Sequence, residues 1–280
     1  MGRVRGGVAG NDVALSGEGY WSTFGAKPST VDWCEQNYVW SPFVCEFHNT
    51  WSSFAMIFLG IFGIVAHWRI LERRFLVAYL CIAIVGVGSA AFHATLLFAT
   101  QASDEVPMLW SALTMTYILV ENKKKNIYRW LPAAMLAYGF LVSCAFTLTE
   151  GKVQFYTFHV SFGSLEFFSL YKVWKLPRAD EIGQRLFRLG FMFYASALVC
   201  WLLDINFCVW LDEVLPSKGI PNPQLHAFWH IFVSLGLVFI TLHCARWRIS
   251  VTTGAMPEIC WIWGVIPRIR ALPGDPKATR

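Results

Sequence analysis

Apolar residues dominate seven stretches of the chain, and charged residues, proline or glycine interrupt the pattern between them. A helix needs about 20 apolar residues to cross a hydrocarbon core about 30 Å thick, and each stretch is close to that length. The pattern therefore predicts an all-α, polytopic membrane protein with seven transmembrane helices. The predicted spans are Phe47–Ala66, Phe75–Phe98, Asp104–Val120, Trp130–Leu148, Val153–Val173, Leu189–Val209 and Leu225–Cys244.

The spans divide the chain into three parts, and its composition agrees with a membrane location. We expect an N-terminal segment (residues 1–46), a seven-helix transmembrane domain (residues 47–245) and a C-terminal tail (residues 246–280). Hydrophobic residues make up 56% of the 280 residues and charged residues 15%, against about 25% charged in soluble domains. The mean hydropathy of +0.46 leaves too little polar surface for a soluble globule. The net charge of +5 does not indicate nucleic-acid binding, because the basic residues lie in short runs between apolar segments.

Basic residues are concentrated in alternate loops, and this asymmetry predicts the orientation. The first, third and fifth loops and the tail contain Arg69, Arg73, Arg74, Lys123, Lys124, Lys125, Arg129, Lys172, Lys175, Arg178, Arg185, Arg188, Arg246, Arg248, Arg268 and Arg270. The intervening loops contain only Lys152 and Lys218. The positive-inside rule places the richly basic loops and the C-terminus in the cytosol. The N-terminal segment then lies in the lumen or outside the cell.

Three predicted helices bring polar residues into the membrane at the same luminal depth. Ser89 and His93 are four residues apart near the luminal end of the second span, and Asp104 opens the third. His226 and His230, also four apart, open the seventh, so they share one helix face. An ionisable group inside a membrane is costly and usually functional.

The three histidines at this depth predict a metal site. A lone histidine is more often a hydrogen-bonding contact between helices, which is the interpretation for His67, His159 and His243. An i,i+4 pair with a third histidine at matching depth favours zinc, and three imidazoles leave a fourth position open for catalysis. The pair lacks the intervening Glu of a HExxH protease, which makes Asp104 the candidate general base.

A second polar cluster lies in the N-terminal segment. Asp32, Glu35, Asn37 and Glu46 place four oxygen-bearing side chains within fifteen residues. Hard oxygen ligands suit Ca²⁺, but the spacing is not that of an EF-hand loop. On these residues alone, a solvated acidic turn that caps the first helix is favoured over a calcium site.

Other polar or thiol side chains leave alternatives open. Cys34 and Cys208 fall on the luminal side and Cys45 lies near it, so one disulfide is plausible, but spacing does not choose the partners. Asp204 and Asn206 fit either ligand binding or buried hydrogen bonding. Glu166, within the fifth span, receives no role.

Several of these stretches together resemble the alkaline ceramidases. This family of seven-helix membrane amidases belongs to a superfamily that includes the adiponectin and progestin-type receptors. The matching motifs are Ser29-Thr30-Val31-Asp32-Trp33-Cys34-Glu35-Gln36-Asn37-Tyr38, Glu46-Phe47-His48-Asn49-Thr50, Gly86-Val87-Gly88-Ser89, His93-Ala94-Thr95-Leu96, Asp104-Glu105-Val106-Pro107-Met108, Trp201 to Cys208 and Gln224 to His230. Their shared order and spacing across the chain make the resemblance more specific than any one motif.

The resemblance implies a role for each matched polar residue. His93, His226 and His230 would bind a catalytic Zn²⁺, Asp104 would contact the zinc-bound water, and Ser89 would support the oxyanion. The implied Ca²⁺ ligands are Asp32, the backbone carbonyl of Trp33, Glu35, Asn37 and Glu46. The resemblance also implies a disulfide between Cys34 and Cys208.

The function implied by the resemblance is hydrolysis of ceramide, within the bilayer, to a sphingoid base and a fatty acid. Family members lie in endoplasmic reticulum and Golgi membranes, which agrees with the orientation above. The main alternative is a zinc-containing receptor of the adiponectin or progestin type. It shares the histidines but does not need the Asp32–Glu46 cluster. A retinal-type receptor is disfavoured because Leu225–Cys244 contains no lysine, and a transporter because no paired broken helices are found.

Overall fold

The computed structural model describes residues 4–5, 20–21, 26–123 and 128–270. Long helices dominate these residues, and seven of them overlap the seven apolar stretches of the sequence. The helices are α1 (Phe47–His67), α2 (Arg73–Thr95), α3 (Phe98–Val120), α4 (Leu131–Leu148), α5 (Gly151–Trp174), α6 (Glu181–Asn206), the single turn α7 (Leu215–Ser217) and α8 (Leu225–Thr253), with a π-helical turn at Trp210–Val214 before α7.

Four short strands accompany the helices. β1 (Val4–Arg5) pairs in parallel with β2 (Val31–Asp32), and β3 (Ile259–Ile262) forms an antiparallel hairpin with β4 (Ile266–Ile269). The chain is therefore mainly helical, as the hydrophobic pattern predicts.

Five of the helices are long and apolar enough to cross a membrane: α1, α2, α4, α6 and α8. Helices α3 and α5 are as long, with 23 and 24 residues, but contain more polar side chains. In α3 several of these side chains are buried, including Gln101, Asp104 and Glu105. Gln101, Asp104 and Glu105 thus lie on the interior face of α3, whereas Ser103 is exposed.

The boundary between α2 and α3 differs from the prediction. The apolar pattern continues to Phe98, but α2 ends at Thr95 because Leu96 adopts a left-handed conformation with a φ of 47°. The Leu96 N–H then caps α2 by donating to the carbonyl of Phe92 at 2.7 Å. No glycine or proline marks this turn, and α3 begins six residues before Asp104, so that Asp104 lies in its second turn.

The end of the last helix also differs from the prediction. Helix α8 continues to Thr253, beyond the expected domain boundary at residue 245, because two arginines of its final turns are buried and paired. Arg246 forms an ion pair with Asp180, and Arg248 donates to Glu72 at 2.9 Å. The β3–β4 hairpin also packs on the bundle, where the Ile269 N–H lies 3.1 Å from Nε2 of His67.

Close helix packing brings the second and third helices together beside the polar residues. A side chain at Gly88 of α2 would collide with the Ser103 carbonyl and lie 2.9 Å from the backbone nitrogen of Asp104. Only glycine permits this approach. It places the start of α3 against the last turns of α2, near Ser89 and His93.

Residues 28–46 of the N-terminal segment cover the end of the bundle where α1, α3 and α8 begin. Backbone hydrogen bonds join it to the end of α2: Ser29 donates to Leu96, Cys45 to Ala94 and Glu46 to His93, each at 2.9 Å. A small hydrophobic cluster that includes Val31, Trp33, Phe92, Leu96 and Ile205 lies beneath it. Residues 28–46 are thus part of the folded core.

Candidate metal centre

Three buried histidines from two helices converge at this end of the bundle. His93 belongs to the last turn of α2, while His226 and His230 lie on one face of the first turns of α8. One nitrogen from each ring lies within 4.8 Å of the other two. Among the residues that the structure describes, this is the one such group of three or more His, Cys, Asp or Glu side chains.

The hydrogen bonds of these rings leave some of their nitrogen atoms unpaired, and a metal ion could bind there. Nδ1 of His93 bonds to Oε2 of Glu46 at 2.5 Å, and Nδ1 of His230 bonds to the Ser52 hydroxyl at 2.7 Å. Nε2 of His93 and Nδ1 of His226 are buried without a hydrogen-bond partner. Buried polar atoms are nearly always paired, and metal-binding histidines usually use their other nitrogen to hold a carboxylate or hydroxyl. The arrangement therefore fits a zinc ion held by three imidazoles.

Ser89 and Asp104 accompany the histidines. The Ser89 hydroxyl lies 3.2 Å from Nε2 of His230 and 2.9 Å from the Ser53 hydroxyl. Asp104 is buried, its Oδ1 has no hydrogen-bond partner, and it lines the same cavity as His226. A carboxyl, a hydroxyl and three imidazoles can together activate water and stabilise negative charge on a carbonyl oxygen.

Ser52 is a site residue that the sequence analysis missed. It lies on α1, and its contact with His230 exists only because α1 packs against α8. Asp204, for which two roles were open, accepts hydrogen bonds from the backbone N–H groups of Cys34 at 3.3 Å and His226 at 3.2 Å. It therefore positions the start of α8 and the N-terminal segment. Asn206 donates to the Leu202 carbonyl within its own helix.

The acidic cluster of the N-terminal segment is buried, so it is not a solvated turn. Glu35 is 2% exposed and Glu46 0%, and Asp32 and Asn37 are also buried. Glu35 accepts the backbone N–H groups of His48 at 2.7 Å and Asn49 at 3.0 Å, as a helix-capping carboxylate does.

The remaining contacts of the cluster link it to the histidines. Asn37 donates to Asp32 at 3.2 Å, and the Trp33 N–H donates to Oε1 of Glu46 at 2.9 Å. The Trp33 ring stacks on His226 with their centroids 3.9 Å apart. The two polar clusters of the sequence analysis are therefore adjacent.

Burial raises the pKa values of two acids in this cluster. Burial, with a smaller contribution from Glu46, raises the pKa of Glu35 to about 8. Burial also raises the pKa of Glu46 well above its ordinary value, and the negative charge of Asp32 adds to the effect. Three buried carboxyl groups at close range repel one another when ionised, and a divalent cation with oxygen ligands would neutralise that charge.

A disulfide fastens the N-terminal segment to the end of α6. Cys34 is bonded to Cys208, with their Cα atoms 5.3 Å apart and a sequence separation of 174. Cys45, the other candidate, is a buried cysteine that takes no part in this disulfide. The structure thus contains the pairing that the family resemblance implies.

A cavity of about 390 Å³ leads from His226 and Asp104 into the bundle between α3, α5, α6 and α8. Its wall is mainly aromatic and aliphatic, with Glu105, Glu166 and Tyr194 among its polar members. Glu105 accepts a hydrogen bond from Gln101 at 3.1 Å. A cavity of this size and apolarity can take a hydrocarbon chain whose polar end reaches the histidines.

The histidines expected to have structural roles lie outside the cluster. Nδ1 of His159 contacts the Phe155 carbonyl at 2.8 Å, and its ring, which lines the cavity, stacks on Phe155 and Trp201. Nδ1 of His67 contacts the Gly63 carbonyl at 2.8 Å near the opposite end of α1. His243 is buried in α8, and its ring packs 6.0 Å from Phe187.

Comparisons with known proteins agree with this geometry. The sequence model of the family described as Ceramidase matches residues 25–270. Alkaline ceramidase 3 of Mus musculus is 34% identical over 91% of this chain and 96% of its own length. Alkaline ceramidase of Arabidopsis thaliana is 30% identical over 90% and 96%, and alkaline ceramidase of Drosophila melanogaster is 32% identical over 76% and 75%. The chain therefore belongs to the alkaline ceramidase family.

Proposed function

We propose that the protein is a zinc-dependent amidase within the membrane that hydrolyses ceramide to a sphingoid base and a free fatty acid. The observation that carries the proposal is the three-histidine cluster at the mouth of an apolar cavity. Ceramide is an amide with two hydrocarbon chains. The cavity accommodates a chain, while the histidines, Asp104 and Ser89 surround the position that its amide would reach.

His93, His226 and His230 hold the zinc in this proposal. When bound, zinc lowers the pKa of a water ligand towards about 7 and polarises a carbonyl oxygen. Glu46 and Ser52 fix the orientations of His93 and His230 through the hydrogen bonds to their Nδ1 atoms.

Asp104 and Ser89 carry out proton transfer and stabilise the carbonyl oxygen in this proposal. The Asp104 carboxylate accepts a proton from water as the water oxygen bonds to the amide carbon. Asp104 then delivers this proton to the amide nitrogen as the carbon–nitrogen bond breaks, and the sphingoid base leaves as an amine. The Ser89 hydroxyl donates a hydrogen bond to the carbonyl oxygen while that oxygen gains negative charge.

The acidic cluster is the proposed Ca²⁺ site, with Asp32, Glu35, Asn37, Glu46 and the Trp33 carbonyl as ligands. The burial of these acids supports this assignment, because a cation offsets the repulsion between carboxylates withdrawn from water. Bound calcium would then stabilise the N-terminal segment against the bundle, directly above the histidines.

The proposed membrane arrangement has seven spans, with the histidines near the luminal surface. Helices α3 and α5 span despite their polar residues, because Asp104, Glu105 and Glu166 face the interior cavity and avoid lipid. The basic loops lie in the cytosol, and the disulfide lies on the oxidising side. We place the protein in the endoplasmic reticulum or Golgi membrane, where this orientation puts the active site in the lumen.

A direct assay tests the proposal. Purified protein is incubated in mixed micelles with a panel of ceramides, and the released sphingoid base and fatty acid are quantified by mass spectrometry. We expect equimolar release from wild type and none from Asp104→Asn. If zinc-loaded wild type releases no sphingoid base from any ceramide, the proposal is wrong.

A further inference from the structure

Glu166 and Tyr194 form a polar pair in the wall of the cavity. Glu166 belongs to α5 and Tyr194 to α6, and the Tyr194 hydroxyl donates to Oε2 of Glu166 at 2.5 Å. Both residues line the cavity that begins at His226 and Asp104. Within the described part of the chain, Tyr194 is the one hydrogen-bond partner of the Glu166 carboxyl. The proposed hydrolytic steps use neither residue.

The pair lies well below the histidines. Gly236 of α8 packs against the backbone of Tyr194, since a side chain at Gly236 would lie 3.0 Å from the Tyr194 nitrogen. Gly236 follows His230 by six residues, which corresponds to about 9 Å along the helix axis at 1.5 Å per residue. In the proposed binding mode the amide and the neighbouring hydroxyls of ceramide stay at the histidines. The hydrocarbon part of the substrate then extends along the cavity towards the pair.

Apolar side chains make up most of the cavity wall that contains the pair. The neighbouring cavity wall includes Phe162, Leu170, Leu198, Val233 and Leu237. Helices α5 and α6 are not one of the closely packed helix pairs, so the hydrogen bond bridges the side of the cavity and is not enclosed in a helix interface. A plain alkyl chain that filled the cavity would leave the second oxygen of Glu166 without a partner, and an unpaired buried polar atom is costly.

We propose that Glu166 and Tyr194 form a subsite for a hydroxyl group carried partway along a hydrocarbon chain of the substrate. The hydroxyl of the chain donates to the free oxygen of Glu166, while Tyr194 holds the carboxyl in position. A site built to bond a hydroxyl discriminates against the analogue that lacks it, because its own polar groups then remain unpaired. The pair is thus a specificity determinant for chain-hydroxylated ceramides. This inference rests on the proposed hydrolysis of ceramide.

The test uses ceramides of one chain length that differ only in the position of a single hydroxyl. In one series the hydroxyl moves along the acyl chain, and in the other it moves along the sphingoid chain beyond the head group. The value of kcat/KM is measured for each ceramide and divided by that of the unsubstituted ceramide. We expect a maximum of about tenfold at a mid-chain position in one series, which identifies the chain that enters the cavity.

Variants then assign the preference to the pair. Tyr194→Phe and Glu166→Leu should reduce the maximum to a ratio near one, since each removes part of the hydrogen-bonding site. Tyr171→Phe is the matched control, because Tyr171 lies on α5 but is exposed outside the cavity, and it should keep the maximum. Glu166→Gln retains an amide oxygen that can accept a hydrogen bond, so this variant should keep part of the maximum.

The outcomes separate this inference from the proposed function. If wild type hydrolyses the unsubstituted ceramide but shows no maximum in either series, the subsite is wrong and the ceramidase function stands. A maximum that persists in both Tyr194→Phe and Glu166→Leu also overturns the subsite. Failure to hydrolyse any ceramide refutes the proposed function itself.

Discussion

Glu46 and His93 connect the two polar clusters of the protein, because Oε2 of Glu46 lies 2.5 Å from Nδ1 of His93. The other oxygen of the same carboxyl accepts the Trp33 N–H at 2.9 Å, and Asn49 donates to Oε2 at 3.1 Å. One fully buried carboxyl thus belongs both to the N-terminal cluster and to the surroundings of the histidines. A change at Glu46 therefore reaches the proposed zinc site directly.

The first prediction concerns this carboxyl. Glu46→Gln keeps the size of the side chain but removes its charge, so His93 loses a carboxylate partner. Loss of such a partner typically lowers metal affinity or activity by about 10–100-fold. Zinc affinity is measured by competition with a chromogenic chelator, alongside kcat/KM. Glu181→Gln, at an exposed position of α6, is the control. If Glu46→Gln binds zinc as tightly as wild type does, the hydrogen bond between Glu46 and His93 does not support the zinc site.

The second prediction separates metal binding from proton transfer. His93→Ala, His226→Ala and His230→Ala should each lose zinc and activity, because three ligands are the whole proposed protein contribution. Asp104→Asn should lose turnover but keep about one zinc per chain, since Asp104 acts on water. Zinc content is measured by elemental mass spectrometry, and His159→Phe should retain zinc because that ring lies outside the cluster. Full zinc in all three alanine variants would refute the site.

The histidine cluster could be anticipated from sequence because its geometry is largely local. Residues four apart share a helix face, so His226 and His230 had to point together, and membrane depth then aligned them with His93. The contact between Ser52 and His230 was not predictable in this way, because it depends on the packing of α1 against α8. The left-handed turn at Leu96 likewise lacks a glycine or proline to indicate it.

The C-terminal region shows another limit of the hydrophobic pattern. Arg246 and Arg248 look like the start of a cytosolic tail, but both are buried residues of α8 whose charges are paired with distant acids. Glu166 similarly had no interpretable role until its partner Tyr194 was located on a different helix. The hydrophobic pattern does not show which side chains pair when they are far apart in the sequence.

The third prediction concerns calcium. A calcium chelator should lower the melting temperature and the activity together and leave zinc bound, because the acidic cluster holds the N-terminal segment over the histidines. Glu35→Ala should reproduce the loss and remove the response to added Ca²⁺. The control is Glu213→Ala, outside this cluster, which should keep that response. If the chelator changes neither the melting temperature nor the activity of wild type, calcium is excluded from the cluster.

The fourth prediction is a pH dependence at the opposite end of the bundle. Hydrogen bonds from Arg246 hold the pKa of Asp180 below its ordinary value. A carboxyl whose pKa is lower in the folded state than in the unfolded state stabilises the fold at pH values above its unfolded pKa. This stabilisation disappears as the pH falls through the pKa of the folded state. Asp180→Asn should therefore lower the melting temperature at pH 7, and its difference from wild type should shrink below about pH 4.

Asparagine is the informative substitution at this position, because it keeps the other function of Asp180. The Asp180 side chain caps α6 by accepting the Gly183 N–H at 2.8 Å, and asparagine caps helices equally well. Glu258→Gln is the control, since its pair with Arg270 is exposed and 3.7 Å long, and it should shift the melting temperature little. A difference between Asp180→Asn and wild type that persists unchanged at low pH would exclude the ion pair as its cause.

The fifth prediction tests orientation with two matched lysines. Lys175 follows α5 at the basic end of the bundle, and Lys218 follows α7 at the histidine end. Both are exposed, so a cysteine at either position is accessible to a thiol reagent that cannot cross membranes. In sealed microsomes with their cytosolic face outward, Lys175→Cys should react at once, because the positive-inside rule places that loop in the cytosol. Lys218→Cys should react only after detergent opens the vesicles. The reverse pattern would place the histidines and the disulfide on the cytosolic side, where thiols are kept reduced, and would overturn the luminal active site.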